Sequence, residues 1–177
     1  PAIAAAALHV QEQYGNALML VLPTDHVVGN QEAFLEGIKR AAETAKKGFL
    51  VTFGIQPDHA ETGYGYIRRG KPLPGSAGIF EIAAFVEKPD VKTAENFLAT
   101  KEYFWNSGMF LFPTELLLQE MAQWQPDILS ACRQAVAGSK KDLDFTRLEE
   151  VSFSHAPNIS IDYAIMEQTT HAAVVAL

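Results

Sequence analysis

Apolar positions along the chain change period several times, and each change marks a predicted element. Residues 2 to 14 are alanine-rich, lack β-branched residues between Ile3 and Val10, and are followed by Gly15-Asn16, which predicts a helix with a stop. Ala17-Leu18-Met19-Leu20-Val21-Leu22 is an unbroken apolar run suited to a strand buried on both faces. Pro23 closes that run, and Thr24-Asp25-His26 falls at its carboxyl end. Asn30 is placed to cap a helix through about Lys47, because Phe34, Leu35, Ile38, Ala41, Ala42 and Ala45 recur at helical spacing before Gly48. Phe49 to Ile55 reads as a second buried strand.

A strand, helix, strand order of this kind predicts a βαβ unit in an α/β domain, with a mixed, mostly parallel sheet and helices on both faces. Further along, Gly63 to Arg69 predicts an extended segment, Gly78 to Val86 a strand, and Val91 to about Lys101 a helix. Tyr103-Phe104-Trp105 and Met109-Phe110-Leu111-Phe112 predict extended stretches either side of a turn at Asn106-Ser107-Gly108. Thr114 is placed to cap a helix through about Trp124; others follow Pro126 and span Ser160 to Glu167. The closing run His171 to Leu177 is strand-like.

Composition narrows the function classes. The chain has 177 residues, 48% hydrophobic and 20% charged, which is too apolar for a disordered chain. No apolar run approaches the roughly 20 residues of a membrane helix. A formal charge of −7 disfavours wholesale binding to nucleic acid or to an anionic membrane. A single cysteine, Cys132, excludes an internal disulfide and a cysteine zinc cage, which fits a reducing, cytoplasmic setting. The chain starts at Pro1 directly in an apolar run with no basic segment before it, and stops at Leu177 inside a predicted strand. Both ends therefore read as cuts within structure, and the expectation is a fragment.

Few polar residues offer chemistry. Asp25 sits where a buried strand emerges, a position that reads first as a turn or a cap and is also suited to a divalent cation beside a phosphate. Gly63 and Gly65 would let a ligand approach the main chain, or permit a bulge. Glu87-Lys88-Pro89 puts an acid and a base directly after a strand; the carboxylate can accept from sugar hydroxyls and the ammonium can neutralise a phosphate, unless the two are only a solvated pair. Asn106 could read hydroxyls with its amide or serve the turn alone. Asp162, near a helix start, reads first as a partner of the helix dipole. The histidines form no metal motif, and no nucleotide-binding glycine loop or serine-hydrolase elbow occurs.

Five segments then occur in one order: Leu22-Pro23-Thr24-Asp25-His26, Thr62-Gly63-Tyr64-Gly65-Tyr66-Ile67, Phe85-Val86-Glu87-Lys88-Pro89, Trp105-Asn106-Ser107-Gly108-Met109-Phe110 and Ser160-Ile161-Asp162-Tyr163-Ala164. In this order they resemble the mannose-1-phosphate guanylyltransferases, particularly the bacterial bifunctional kind that also carries a mannose-6-phosphate isomerase module. The resemblance implies that residues 1–177 are the central part of one Rossmann-like nucleotidyltransferase domain. It implies transfer of GMP from GTP to α-mannose 1-phosphate with Mg²⁺, no nucleic-acid or membrane partner, and leaves room for a homo-oligomer. By resemblance Asp25 would be a metal ligand and Lys88 would bind the sugar phosphate. Gly65, Glu87 and Asn106 would hold the mannose hydroxyls, with Asp162 adjacent to the site.

The family's glycine-rich triphosphate loop and its second metal aspartate are not in these 177 residues. The chain alone is therefore expected not to turn over. Two other readings stay open at this level: a non-catalytic sugar-phosphate-binding module, and a nucleotidyltransferase for another sugar such as glucose 1-phosphate.

Overall fold

The computed structural model describes residues 1–177, which divide into two compact units. The first comprises Pro1–Met19 and Pro113–Gln168, and the second Leu20–Phe112 and Thr169–Leu177.

The first unit is helical. α1 (Ala2–Tyr14) packs against α4 (Thr114–Trp124) and α5 (Pro126–Ala137). Ala4, Ala5 and Ala7 are buried, and their small side chains let the helix axes approach. Leu117, Leu118, Met121, Ile128 and Leu129 supply the larger apolar groups. Thr114 does not cap α4 as expected. Its hydroxyl accepts from the Ala17 N–H at 3.1 Å, and the Thr114 N–H donates to the Ala17 carbonyl at 2.9 Å. Burial pushes the Cys132 thiol up from its ordinary pKa, consistent with a packed thiol. The segment predicted as a helix from Ser160 is a single π-turn, Asp162–Met166. Two elements had no counterpart in the sequence reading: the hairpin of β6 (Lys140–Asp142) and β7 (Phe145–Arg147), and the short α6 (Glu150–Ser154). Their strands are fully exposed and carry no alternating apolar signal.

The second unit is built on a mixed sheet. Its strands are β1 (Leu18–Val21, entering from its Leu20 end), β2 (Leu50–Ile55), β3 (Tyr66–Pro72), β4 (Ile79–Val86), β5 (Tyr103–Pro113) and β8 (Ala172–Ala176). The order is β1-β5-β2-β8-β4-β3, with β5 also paired to β3. Those last pairings close β5, β2, β8, β4 and β3 into a ring. β2 and β8 run parallel, whereas β2–β5, β3–β4, β3–β5 and β4–β8 are antiparallel. The sheet is mixed as expected, but antiparallel rather than parallel pairing predominates, because β3, β4 and β5 each run antiparallel to the strands they pair with. β1 is also less buried than its sequence implied, with Leu18 and Leu20 each 37% exposed.

α2 (Gln31–Ala45) begins as predicted: the Asn30 side chain accepts from the Ala33 N–H at 3.0 Å. It lies on β2 and β8, where Ala41, Ala45, Phe34 and Ile38 pack with Val51, Phe53, Ile79 and Val175. α3 (Val91–Thr100) is capped by Asp90, which accepts from the Thr93 N–H and is held below the usual carboxylate pKa by that bond. It adds Ala94 and Phe97 to a cluster with Tyr66, Trp105 and Tyr103.

The largest local departure concerns Asn106-Ser107-Gly108. It is not a turn between two strands, because β5 runs on from Tyr103 to Pro113. Thr52 pairs with Phe110 and Gly54 with Asn106, so Ser107-Gly108-Met109 stand opposite Phe53 alone. With three residues against one, this is a bulge of the larger, special kind. Gly108 supplies the positive φ of 69° that the bulge needs. The Ser107 hydroxyl, 2.7 Å from the Phe53 carbonyl, donates the bond that the ladder would otherwise have made, and accepts from the Met109 N–H at 3.2 Å.

Candidate functional site

Three of the residues singled out in the sequence meet at one point of the second unit. β3 and β5 pair so that Tyr66 faces Trp105, which brings the residues preceding β3 alongside Asn106. The Asn106 N–H donates to the Gly65 carbonyl at 2.8 Å. Glu87 follows β4 and returns to the same place, since β3 and β4 pair from Tyr66–Val86 onward. A Cβ added at Gly65 would run into the Glu87 carboxylate and come within 3.4 Å of the Asn106 Cβ and 3.5 Å of the Phe85 ring. Gly65 is buried, and the requirement for glycine there is one of space.

Glu87 and Lys88 divide the polar work by exposure. The Glu87 side chain is 13% exposed and the Lys88 side chain 63%, with 3.7 Å between Lys88 Nζ and Glu87 Oε1. Lys88 also adopts φ 46°, a left-handed conformation that is uncommon for a side-chain-bearing residue. The following proline further restricts that backbone, so Lys88 is held in a strained geometry that turns the chain directly after Glu87.

The amide of Asn106 is itself anchored. Thr52, buried on β2, places its hydroxyl 3.0 Å from Asn106 Oδ1 and 3.1 Å from the Met109 carbonyl. The Gly108 N–H donates to the same Oδ1 at 3.4 Å. Thr52 was missed in the sequence, although it is the one hydroxyl in the apolar run Phe49 to Ile55. Beside this cluster the Trp105 ring meets the edges of His59 at 4.8 Å and Tyr64 at 5.4 Å between centroids. The Asp58 carboxylate, hydrogen-bonded to His59, raises the imidazole above its ordinary pKa, and Glu61 adds to this.

The other two candidates come from other segments of the chain. Asp25 is exposed on a turn after β1. Asp162 opens the π-turn of the first unit, where its carbonyl accepts from the Glu167 N–H at 2.9 Å. No group of three or more His, Cys, Asp or Glu side chains converges as a metal cage. A lone carboxylate such as Asp25 fits a cation that takes most of its oxygens from substrate phosphates and water, the coordination Mg²⁺ favours.

The arrangement therefore offers a largely buried carboxylate, an anchored amide and an exposed ammonium about a glycine whose missing side chain makes room for the Glu87 carboxylate. Such a set suits a small polyhydroxylated anion. A family model described as nucleotidyl transferase matches residues 1–151. The chain belongs to the nucleotidyl transferase family. It is 51% identical over 179 residues to the mannose-1-phosphate guanylyltransferase ManC of Salmonella typhimurium, covering 99% of this chain and 37% of that protein. It is 50% identical to the xanthan biosynthesis protein XanB of Xanthomonas campestris, over 100% of this chain and 37% of XanB. Among solved structures, one titled mannose-6-phosphate isomerase from Helicobacter pylori superposes with a TM-score of 0.87 at 34% identity, over 99% of this chain and 66% of that one. The mixed α/β architecture is thus that of a nucleotidyltransferase, a family that generally works with a divalent metal. This chain spans 37% of the length of ManC and of XanB. No helix is long and apolar enough to cross a membrane.

Proposed function

We propose that these residues are the central part of one nucleotidyltransferase domain, and that they supply the sugar-phosphate side of a mannose-1-phosphate guanylyltransferase site. The observation that carries the reading is the convergence of Glu87 and Asn106 at Gly65. Glu87 accepts from sugar hydroxyls and Asn106 supplies an amide to them, the two held side by side at Gly65. Lys88, beside Glu87, meets the phosphate as a point charge. Roughly 50% identity to ManC and XanB supports mannose 1-phosphate as that ligand.

In the reaction, a phosphate oxygen of mannose 1-phosphate attacks the α-phosphorus of GTP and pyrophosphate leaves, so GDP-mannose forms without a covalent enzyme intermediate. The residues of this chain position the attacking anion and neutralise its charge, and holding the reactants in line lowers the entropic part of the barrier. Bound Mg²⁺ would offset phosphate charge, with Asp25 as its protein ligand and Asp162 a residue adjacent to the site. The negative chain makes such local compensation necessary, at a formal charge of −7. We place the reaction in the cytoplasm, where the lone, buried Cys132 stays reduced.

Assaying the protein expressed from its complete reading frame with GTP and either mannose 1-phosphate or glucose 1-phosphate tests the assignment. Mannose is the expected preference; a preference for glucose, or no turnover of either, would overturn it. Within the same protein Lys88→Ala should raise the KM for mannose 1-phosphate roughly tenfold, the loss of one charge-assisted contact of about 1.5 kcal/mol. An unchanged KM removes Lys88 from the site.

A further inference from the structure

We infer that His59 is a proton-operated clamp: charged, it fastens the segment from Asp58 to Tyr66 that leads into the candidate site, and on losing its proton it lets that segment loosen. The two ring nitrogens face two carboxylates. Nδ1 is hydrogen-bonded to Asp58 Oδ1, and Nε2 lies 3.7 Å from Glu61 Oε2. A neutral imidazole carries a single N–H, so it would turn a lone pair toward one of these anions. Only the imidazolium presents a proton to both.

Glu61 extends the hold to the rest of the segment. Its Oε1 accepts from the Gly63 N–H at 2.8 Å, and its own N–H donates to the hydroxyl oxygen of the fully buried Tyr66 at 2.9 Å. The imidazole also meets the Trp105 indole of β5, at 4.8 Å between centroids and 70° between planes. The segment so fastened includes Gly65, whose carbonyl accepts from the Asn106 N–H. The charges acting on the ring's proton are those of Asp58 and Glu61, while β5 meets it with an uncharged indole. Both carboxylates favour the cation, and the bond from the Gly63 N–H holds Glu61 below the usual carboxylate range, so Glu61 stays ionised wherever His59 titrates. A histidine whose pKa is raised by folding contributes fully in mildly acid solution, and its contribution is lost as the pH rises through the folded-state value. With its side chain 60% exposed, His59 acts with the strength of a surface pair, which suits a local clamp rather than a support of the whole fold. The clamp concerns the segment itself, so its test does not depend on which ligand the site takes.

Hydrogen exchange read by mass spectrometry, on the protein expressed from its complete reading frame, provides that test. At about pH 6 a peptide spanning residues 61–66 should exchange roughly two- to fivefold more slowly in the parent than in His59→Gln, and at about pH 8.5 the two should exchange nearly alike. Unchanged exchange in β2 and β8 establishes that the variant is folded. Equal rates at the lower pH overturn the inference, and so does a difference that persists undiminished at the higher pH, because the ring would then act by its bulk and not by its charge. NMR of isotopically labelled histidine in the same protein is the second measurement. The resonance that disappears in His59→Gln should titrate with a midpoint above that of an ordinary histidine, and the midpoint should fall in both Asp58→Asn and Glu61→Gln. A midpoint at or below the ordinary value, or one that neither substitution moves, overturns the clamp as well.

Discussion

Gly65→Ala is expected to weaken binding of mannose 1-phosphate roughly a hundredfold while leaving the melting temperature nearly unchanged. The new methyl would occupy the space bordered by the Glu87 carboxylate, the Asn106 Cβ and the Phe85 ring. Backbone strain contributes little, because the residue does not adopt a positive φ. The most yielding neighbour is the carboxylate end of Glu87, which would swing away and be lost to the ligand. Displacing it and blocking access to Asn106 removes two partners at about 1 to 2 kcal/mol each, which converts to roughly two powers of ten. Gly63→Ala is the matched control. Its Cβ would meet only the Glu61 carboxylate, at 3.3 Å, and affinity should survive. Equal losses in both variants would mean that the loop, and not the space at Gly65, governs binding. Titration of the ligand by calorimetry distinguishes the outcomes.

Phe53→Ala should cost about 3 to 5 kcal/mol of folding stability. Phe53 is fully buried between α2 and the sheet, with the Phe34 ring 6.1 Å away and Ala41, Ala45, Met109 and Val175 in the same cluster. Its backbone also anchors the β5 bulge through the Ser107 hydroxyl. Truncation leaves a void that the surrounding strands cannot fill, because the ring of pairings fixes their spacing. Since a domain of this size has about 5 to 15 kcal/mol in hand, the variant should melt some 10 °C lower. A loss below about 1 kcal/mol in denaturant unfolding would show that this core is not tightly closed.

Much of the fold was legible because local signals and tertiary demands agree. Asn30 and Asp90 cap the helices they precede, and the apolar run at Phe49 to Ile55 is a buried strand as its lack of alternation implied. The misreadings share one cause. The Asn-Ser-Gly segment has the composition of a turn, yet its serine and glycine build a bulge once β2 lies alongside, and no local pattern announces a partner more than fifty residues away. β1 was read as doubly buried from hydrophobicity alone, although it stands at the end of the strand order.

The site divides in the same way. Gly65, Glu87 and Asn106 came from separate segments, and their meeting depends on β5 pairing with β3 while β3 pairs with β4. Residue type suggested the chemistry, and the order of the segments suggested the family. The anchoring of Asn106 by Thr52 was invisible, because a threonine in a strand reads as ordinary β-propensity.

The ring formed by β5, β2, β8, β4 and β3 carries a further consequence for how binding is driven. Trp105 is matched on one side by Ile55 and on the other by Tyr66, so the segment holding Asn106 has no open flank along which to fray. Its freedom is surrendered when the unit folds, long before a ligand arrives. Association then needs little further ordering of the amide or of the Gly65 carbonyl it holds, and the entropy lost on binding falls mainly on the exposed Lys88 side chain and on the ligand itself.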